Sequence, residues 1–125
     1  MEAREEAETL KRRAGGFLHT ARFQIDNGMY DLAVFNMEQA LQLFLKAELL
    51  EYGVQYPKTR SPRRLLAEAA PGEEGRRYGE LLDKYVFELG VLEDAYINAR
   101  YIPREYTKEE AEGLFRLVSE IVGGG

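Results

Sequence analysis

The chain has 125 residues, 45% hydrophobic and 31% charged, the composition of one ordinary globular domain rather than a disordered tract. A net charge of −5 argues against a protein that coats nucleic acid generally and leaves room only for local basic patches. No apolar run approaches the roughly 20 residues of a membrane span, no signal peptide opens the chain, and the absence of cysteine excludes disulfides and favours a cytoplasmic setting.

The first predicted helix runs from Glu2 to about Asp26. Ala3, Ala7, Leu10, Ala14, Phe17 and Ala21 fall at alternating spacings of four and three, an amphipathic stripe. Gly15 and Gly16 interrupt it, which weakens the helix unless something packs closely there. Asn27-Gly28 ends it as a turn. A long helix follows from Tyr30 to Leu50, apolar almost all the way round and stopped near Gly53. Its most closed stripe reads Leu32, Asn36, Ala40, Leu43, Ala47 and Leu50, with Asn36 as the one polar member. A buried amide is costly unless it is hydrogen-bonded, so Asn36 is expected to be buried and paired, near the C-terminal half of a later helix. Gln39 stands one turn further on.

Ser61-Pro62 opens a short helix, with Ser as N-cap and Pro at the first helical position, and Pro71-Gly72 closes it. From about Tyr78 to Ile102 the period is the cleanest in the chain. Tyr78, Leu82, Tyr85, Leu89, Leu92, Tyr96 and Ala99 form one seam of a bundle, ended by Pro103. Thr107 to Glu110 is a capping box for a last helix whose buried face is Ala111, Leu114, Phe115, Val118 and Ile121. Gly123 to Gly125 should fray. Together these elements predict an all-α, antiparallel up-down bundle of four to five helices, one domain over residues 1–122. Few Asn and many Arg and Glu lean toward a thermophile.

Several chemistries fall away. With no cysteine and His19 as the sole histidine, one chain cannot assemble a structural zinc site. No Glu-x-x-His pair serves a di-iron centre, no phosphate loop or dinucleotide fingerprint is present, and one histidine with two serines does not support a catalytic triad. No metal or other cofactor is expected. His19 lies off the apolar stripe and reads as a surface residue.

The order YDLAVFNMEQALQLFLKAELLEYG, a loop, SPRRLLAEA, a helix ending AYINARYIPREYT and a capped last helix resembles the HEPN domain over essentially the whole chain. HEPN domains are small all-α proteins of prokaryotes and eukaryotes. The resemblance implies a homodimer, a minimal nucleotidyltransferase encoded beside it in a toxin–antitoxin-like pair, and a nucleotide or RNA as ligand. Active relatives are metal-independent ribonucleases that use an Arg, usually followed by a polar residue, and a His a few residues on. Arg100 matches that Arg. Tyr101 replaces the polar neighbour, and Glu105, Tyr106 and Thr107 stand where the His would fall. The proton-transfer partner that RNA cleavage would use is missing, so no catalytic residue is assigned and ribonuclease activity is not expected.

The ligand-binding candidates are therefore Arg100, Asn36, Gln39, Tyr101 and Tyr106. Arg100, in the last turn of its helix, also suits the helix dipole and open carbonyls as a structural cap. Asn36 and Gln39 equally fit packing roles, and Tyr101 and Tyr106 fit packing about a proline turn. Lys58, Arg60, Arg63 and Arg64 hold no acid among them and end at a helix N-terminus, which makes an accessory basic patch for an anion or a solvated loop. A purely structural dimerisation module is the alternative reading. An active ribonuclease would need a base from elsewhere, such as His19 of a partner chain.

Overall fold

A computed structural model describes residues 2–53, 58–71, 75–100 and 105–123, with residues 96–100 described for their helical backbone alone. The described residues form six helices and no strand: α1 (Glu2–Asp26), α2 (Tyr30–Glu51), α3 (Pro62–Ala69), α4 (Arg76–Lys84), α5 (Val86–Arg100) and α6 (Lys108–Gly123).

α1 and α2 make a long antiparallel hairpin. Ala7, Ala14 and Ala21, each two turns from the next, are fully buried, and their small side chains let α2 lie close along α1. Leu10 and Phe17 are half-buried at the margins, and Ala3 is exposed. Gly15 and Gly16 do not break α1. Both face solvent, and a Cβ on either would meet nothing within 4 Å. The hairpin turns through Gly28 at φ 77. The amide of Met29 donates to Gln24 O at 2.8 Å and that of Gly28 to Ile25 O at 3.1 Å, the paired bonds of a glycine-terminated helix.

α2 is the centre of the molecule. It packs against α1, α3, α5 and α6, which is why it is apolar on nearly every face. Its most deeply buried residues include Val34, Met37, Leu41, Leu45 and Leu49. The expected closed stripe is displaced. Leu32 is 47% exposed, Asn36, Leu43 and Leu50 are half-buried, and only Ala40 and Ala47 of that set are closed off. A helix apolar all round does not declare its phase, and contacts on four sides settled it instead.

Among the described residues the helix expected from about Tyr78 is two helices jointed at Tyr85, which brings the described helices of the all-α bundle to six. The joint costs little, because Tyr85 N still donates to Leu81 O (2.9 Å) and Leu89 N to Tyr85 O (2.8 Å). It lets α4 lean on α3 while α5 packs on α2. The Tyr85 hydroxyl ties the joint to Glu120 of α6 at 2.7 Å. α6 begins with the expected capping box: Glu110 N donates to Thr107 Oγ1 at 3.1 Å, and Thr107 N to Glu110 Oε1 at 2.9 Å. Its core face is Ala111, Leu114, Leu117, Val118 and Ile121, with Phe115 at the edge. There the Arg22 guanidinium lies 5.0 Å from the Phe115 ring and grips Glu112 at 2.7 and 3.0 Å, joining α1 to α6.

Candidate functional site

The polar residues buried on α2 are Glu38, Gln42 and Glu48, none of which the residue pattern singled out. Glu38 has no exposed surface. Its carboxylate accepts from Gln39 Nε2 (2.8 Å), Gln42 Nε2 (2.9 Å) and Arg60 Nη2 (3.3 Å). Burial pushes its pKa above the usual carboxylate range, and these donors and the Arg60 charge pull back against that. The Gln42 amide also donates to the backbone carbonyl of Arg60, so Arg60 is held to α2 by both main chain and side chain. Gln42 Oε1 finds no donor among the described residues. Lys46, one turn beyond, has its pKa lowered by burial and by the Arg60 charge.

Ten residues beyond Glu38 on α2, Glu48 accepts from the Tyr78 hydroxyl and pairs with Lys11 at 3.0 Å. Burial pushes the Glu48 carboxyl up, but the hydrogen bonds from Tyr78 and Lys11 hold it below the ordinary value. The Tyr78 hydroxyl, buried against that carboxylate, is pushed well up.

A third cluster joins α3 to α5. Ser61 caps α3, accepting from Arg64 N at 3.1 Å, and donates its own hydroxyl to Glu93. Arg63 binds the same carboxylate through N (3.2 Å), Nε (2.9 Å) and Nη2 (2.8 Å). Burial raises the Glu93 carboxyl, and Arg63 and Ser61 bring it below the usual range. Glu93 lies seven residues before Arg100 on α5.

All four basic residues of the patch are exposed, and Arg60 and Arg63 are each also paired with a carboxylate from α2 or α5. The accessory patch contains no acid in sequence but meets two in space. Asn36 is half-buried, not buried, and its amide donates to Gln24 of α1, which runs beside this stretch of α2, at 2.7 Å. The expected partner region, the C-terminal end of α5, has its side chains outside the described residues. Gln39 is tied to Glu38, so the two amides serve different neighbours. Tyr106 is buried beside a pocket of about 320 Å³ that Gly28, Tyr30, Asp31 and Glu105 also line. The side chain of Arg100 and all of Tyr101 lie outside the described residues.

No cluster of three His, Asp or Glu that could hold a metal occurs among the described residues, and no described helix is long and apolar enough to cross a membrane. The polar clusters fix α1, α4 and the loop before α3 onto one central helix and clamp α3 to α5, which defines an all-α module organised around α2. The HEPN domain family model matches residues 7–123, and the chain belongs to that family. No curated protein and no solved structure matches it.

Proposed function

We propose that this HEPN domain is a nucleotide- or RNA-binding module that acts as a homodimer with a nucleotidyltransferase partner, in a toxin–antitoxin-like pair, and lacks ribonuclease activity of its own. The observation that carries the reading is the family match over nearly the whole chain, which supports a nucleotide- or RNA-related module in general. The finer part rests on Arg100, the last residue of α5, followed by no histidine. Arg100 would pair with phosphate oxygens through its planar fork, and Tyr101 or Tyr106 would offer an aromatic face to a base. The sole histidine, His19, is exposed on α1. Without it, one cation cannot supply both charge stabilisation and proton transfer. Homodimerisation is supported by Phe23 and Leu32, 60% and 47% exposed on the α1–α2 hairpin, Leu32 sharing its helix stripe with the half-open Asn36, Leu43 and Leu50.

A structural dimerisation module is the second reading. It draws on the bonds of Asn36 to Gln24 and Gln39 to Glu38, which engage both amides within the chain. Calorimetric titration with nucleotides and short RNA separates the two. Binding by the wild type that Arg100→Ala abolishes supports the ligand site. Identical behaviour of both proteins, with lower stability in the variant, makes Arg100 a helix cap. RNA left intact by the wild type supports the absence of ribonuclease activity, and cleavage that Arg100→Ala removes refutes it.

A further inference from the structure

Among the described residues α5 and α6 each pack along α2 but scarcely against each other, and the gap between them is a groove of about 400 Å³. Its apolar lining is Val91 from α5 with Leu114 and Leu117 from α6. Gly113 completes the α6 wall, yet nothing in the packing of the described residues requires a glycine there. A Cβ would meet only the Arg116 guanidinium, at 3.8 Å. Glycine inside a helix costs about 1 kcal/mol relative to alanine; what it offers here is close approach for another backbone. One turn before Val91, on the same face of α5, Phe87 is 82% exposed, and Val86 beside it is 49% exposed. Exposed apolar surface continuous with a groove marks an interaction site.

The rim selects the partner. Among the described lining residues, Glu88 on α5 and Glu109 and Glu110 on α6 set three carboxylates against the single cation Arg116. Two-fold pairing of this face with its own copy would press two acidic rims together in a desolvated contact, which is unfavourable. We propose that the groove takes a basic amphipathic helix of a partner protein. Its apolar ridge lies over Val91, Leu114 and Phe87, its backbone approaches at Gly113, and its flanking Lys or Arg side chains meet Glu88 and Glu109. The inference goes beyond the nucleotide reading and requires nothing from Arg100.

Two synthetic helical peptides test it on the full chain. Both carry the same apolar face; one is flanked by Lys and Arg, the other by Glu. In fluorescence anisotropy the basic peptide binds and the acidic one does not. Its affinity falls about tenfold or more in the double variant Glu88→Lys, Glu109→Lys, weakens with added salt, and is lost in Gly113→Leu, which fills the groove. Both substituted glutamates are exposed, so the charge reversal carries the test if Gly113→Leu does not fold. Equal binding of the two peptides, no binding of the basic one, or binding indifferent to the charge reversal overturns the proposal. So does dissociation of a wild-type dimer by either variant, which would make the groove a face between copies.

Discussion

Replacing Arg60 with Met removes a cation bonded to a fully buried carboxylate while keeping much of the side-chain volume. The Arg60 side chain is 47% exposed and its bond to Glu38 is 3.3 Å long, whereas Glu38 has no exposed surface. Stranding one partner of a buried pair costs about 3–5 kcal/mol. Solvent screening at Arg60, with the Gln39 and Gln42 amides remaining, reduces this to about 2 kcal/mol near pH 7. The loss depends on pH, and its sign follows from the direction of the Glu38 shift. Burial already raises the folded-state pKa above the unfolded one, so the native state holds its proton longer. Stability from that proton is present below the unfolded value and is lost as pH rises through the folded value. Without Arg60 the folded value climbs further and the window extends upward. Between about pH 5 and pH 8 the variant should fall behind the wild type by up to about 1.4 kcal/mol per pH unit within that window. Urea denaturation followed by circular dichroism at both pH values measures this, with Arg64→Met, at an exposed site, as control. A deficit that is the same at both pH values, or no larger than the control's, refutes the account of Glu38 as a buried, partly neutralised anion.

Thr107→Ala removes the α6 cap and should cost about 1 kcal/mol in thermal denaturation. Gly16→Ala should stabilise by up to about 1 kcal/mol, because the site is helical and nothing lies within 4 Å of a new Cβ; a lower Tm would show that α1 is covered there in solution. Glu93 is held below the ordinary carboxylate value, so its contribution is present above the unfolded pKa and disappears as pH falls through the folded one. Glu93→Gln should therefore cost about 1–2 kcal/mol at neutral pH and lose less stability than the wild type on acidification, as equilibrium unfolding at both pH values would record.

The elements legible in the sequence were those whose cause is local. Asn27-Gly28, Ser61-Pro62 and Thr107 to Glu110 each carry their own turn or cap chemistry within a few residues, and each does in space what that chemistry dictates. The joint at Tyr85 has no such signature, since no Pro or Gly marks it and the apolar period continues across it. Only the different partners of α4 and α5 account for it. The phase of α2 was likewise illegible, and with it the choice of polar residue. Asn36 stands out because it sits on an apolar stripe, whereas Glu38 and Gln42 lie off it. Their spacing of four, on a helix with little other polarity and ahead of a loop arginine, was the one available signal.

That pattern bears on how the candidate site is held. The polar side chains of α2 go to different segments: Asn36 to α1, Glu38 and Gln42 to the Arg60 loop, and Glu48 to Tyr78 of α4 and Lys11 of α1. Apolar packing tolerates small sliding of one helix on another, but a hydrogen-bonded buried carboxylate does not, because displacement strands it. The loop fixed by Glu38 continues into Ser61 and Arg63, which clamp Glu93, two turns before the end of α5. A chain of polar contacts therefore runs from the middle of α2 to the helix that carries Arg100. In this arrangement the buried polar residues of α2 position α5, and under the proposed function the helix end they orient would carry the ligand chemistry.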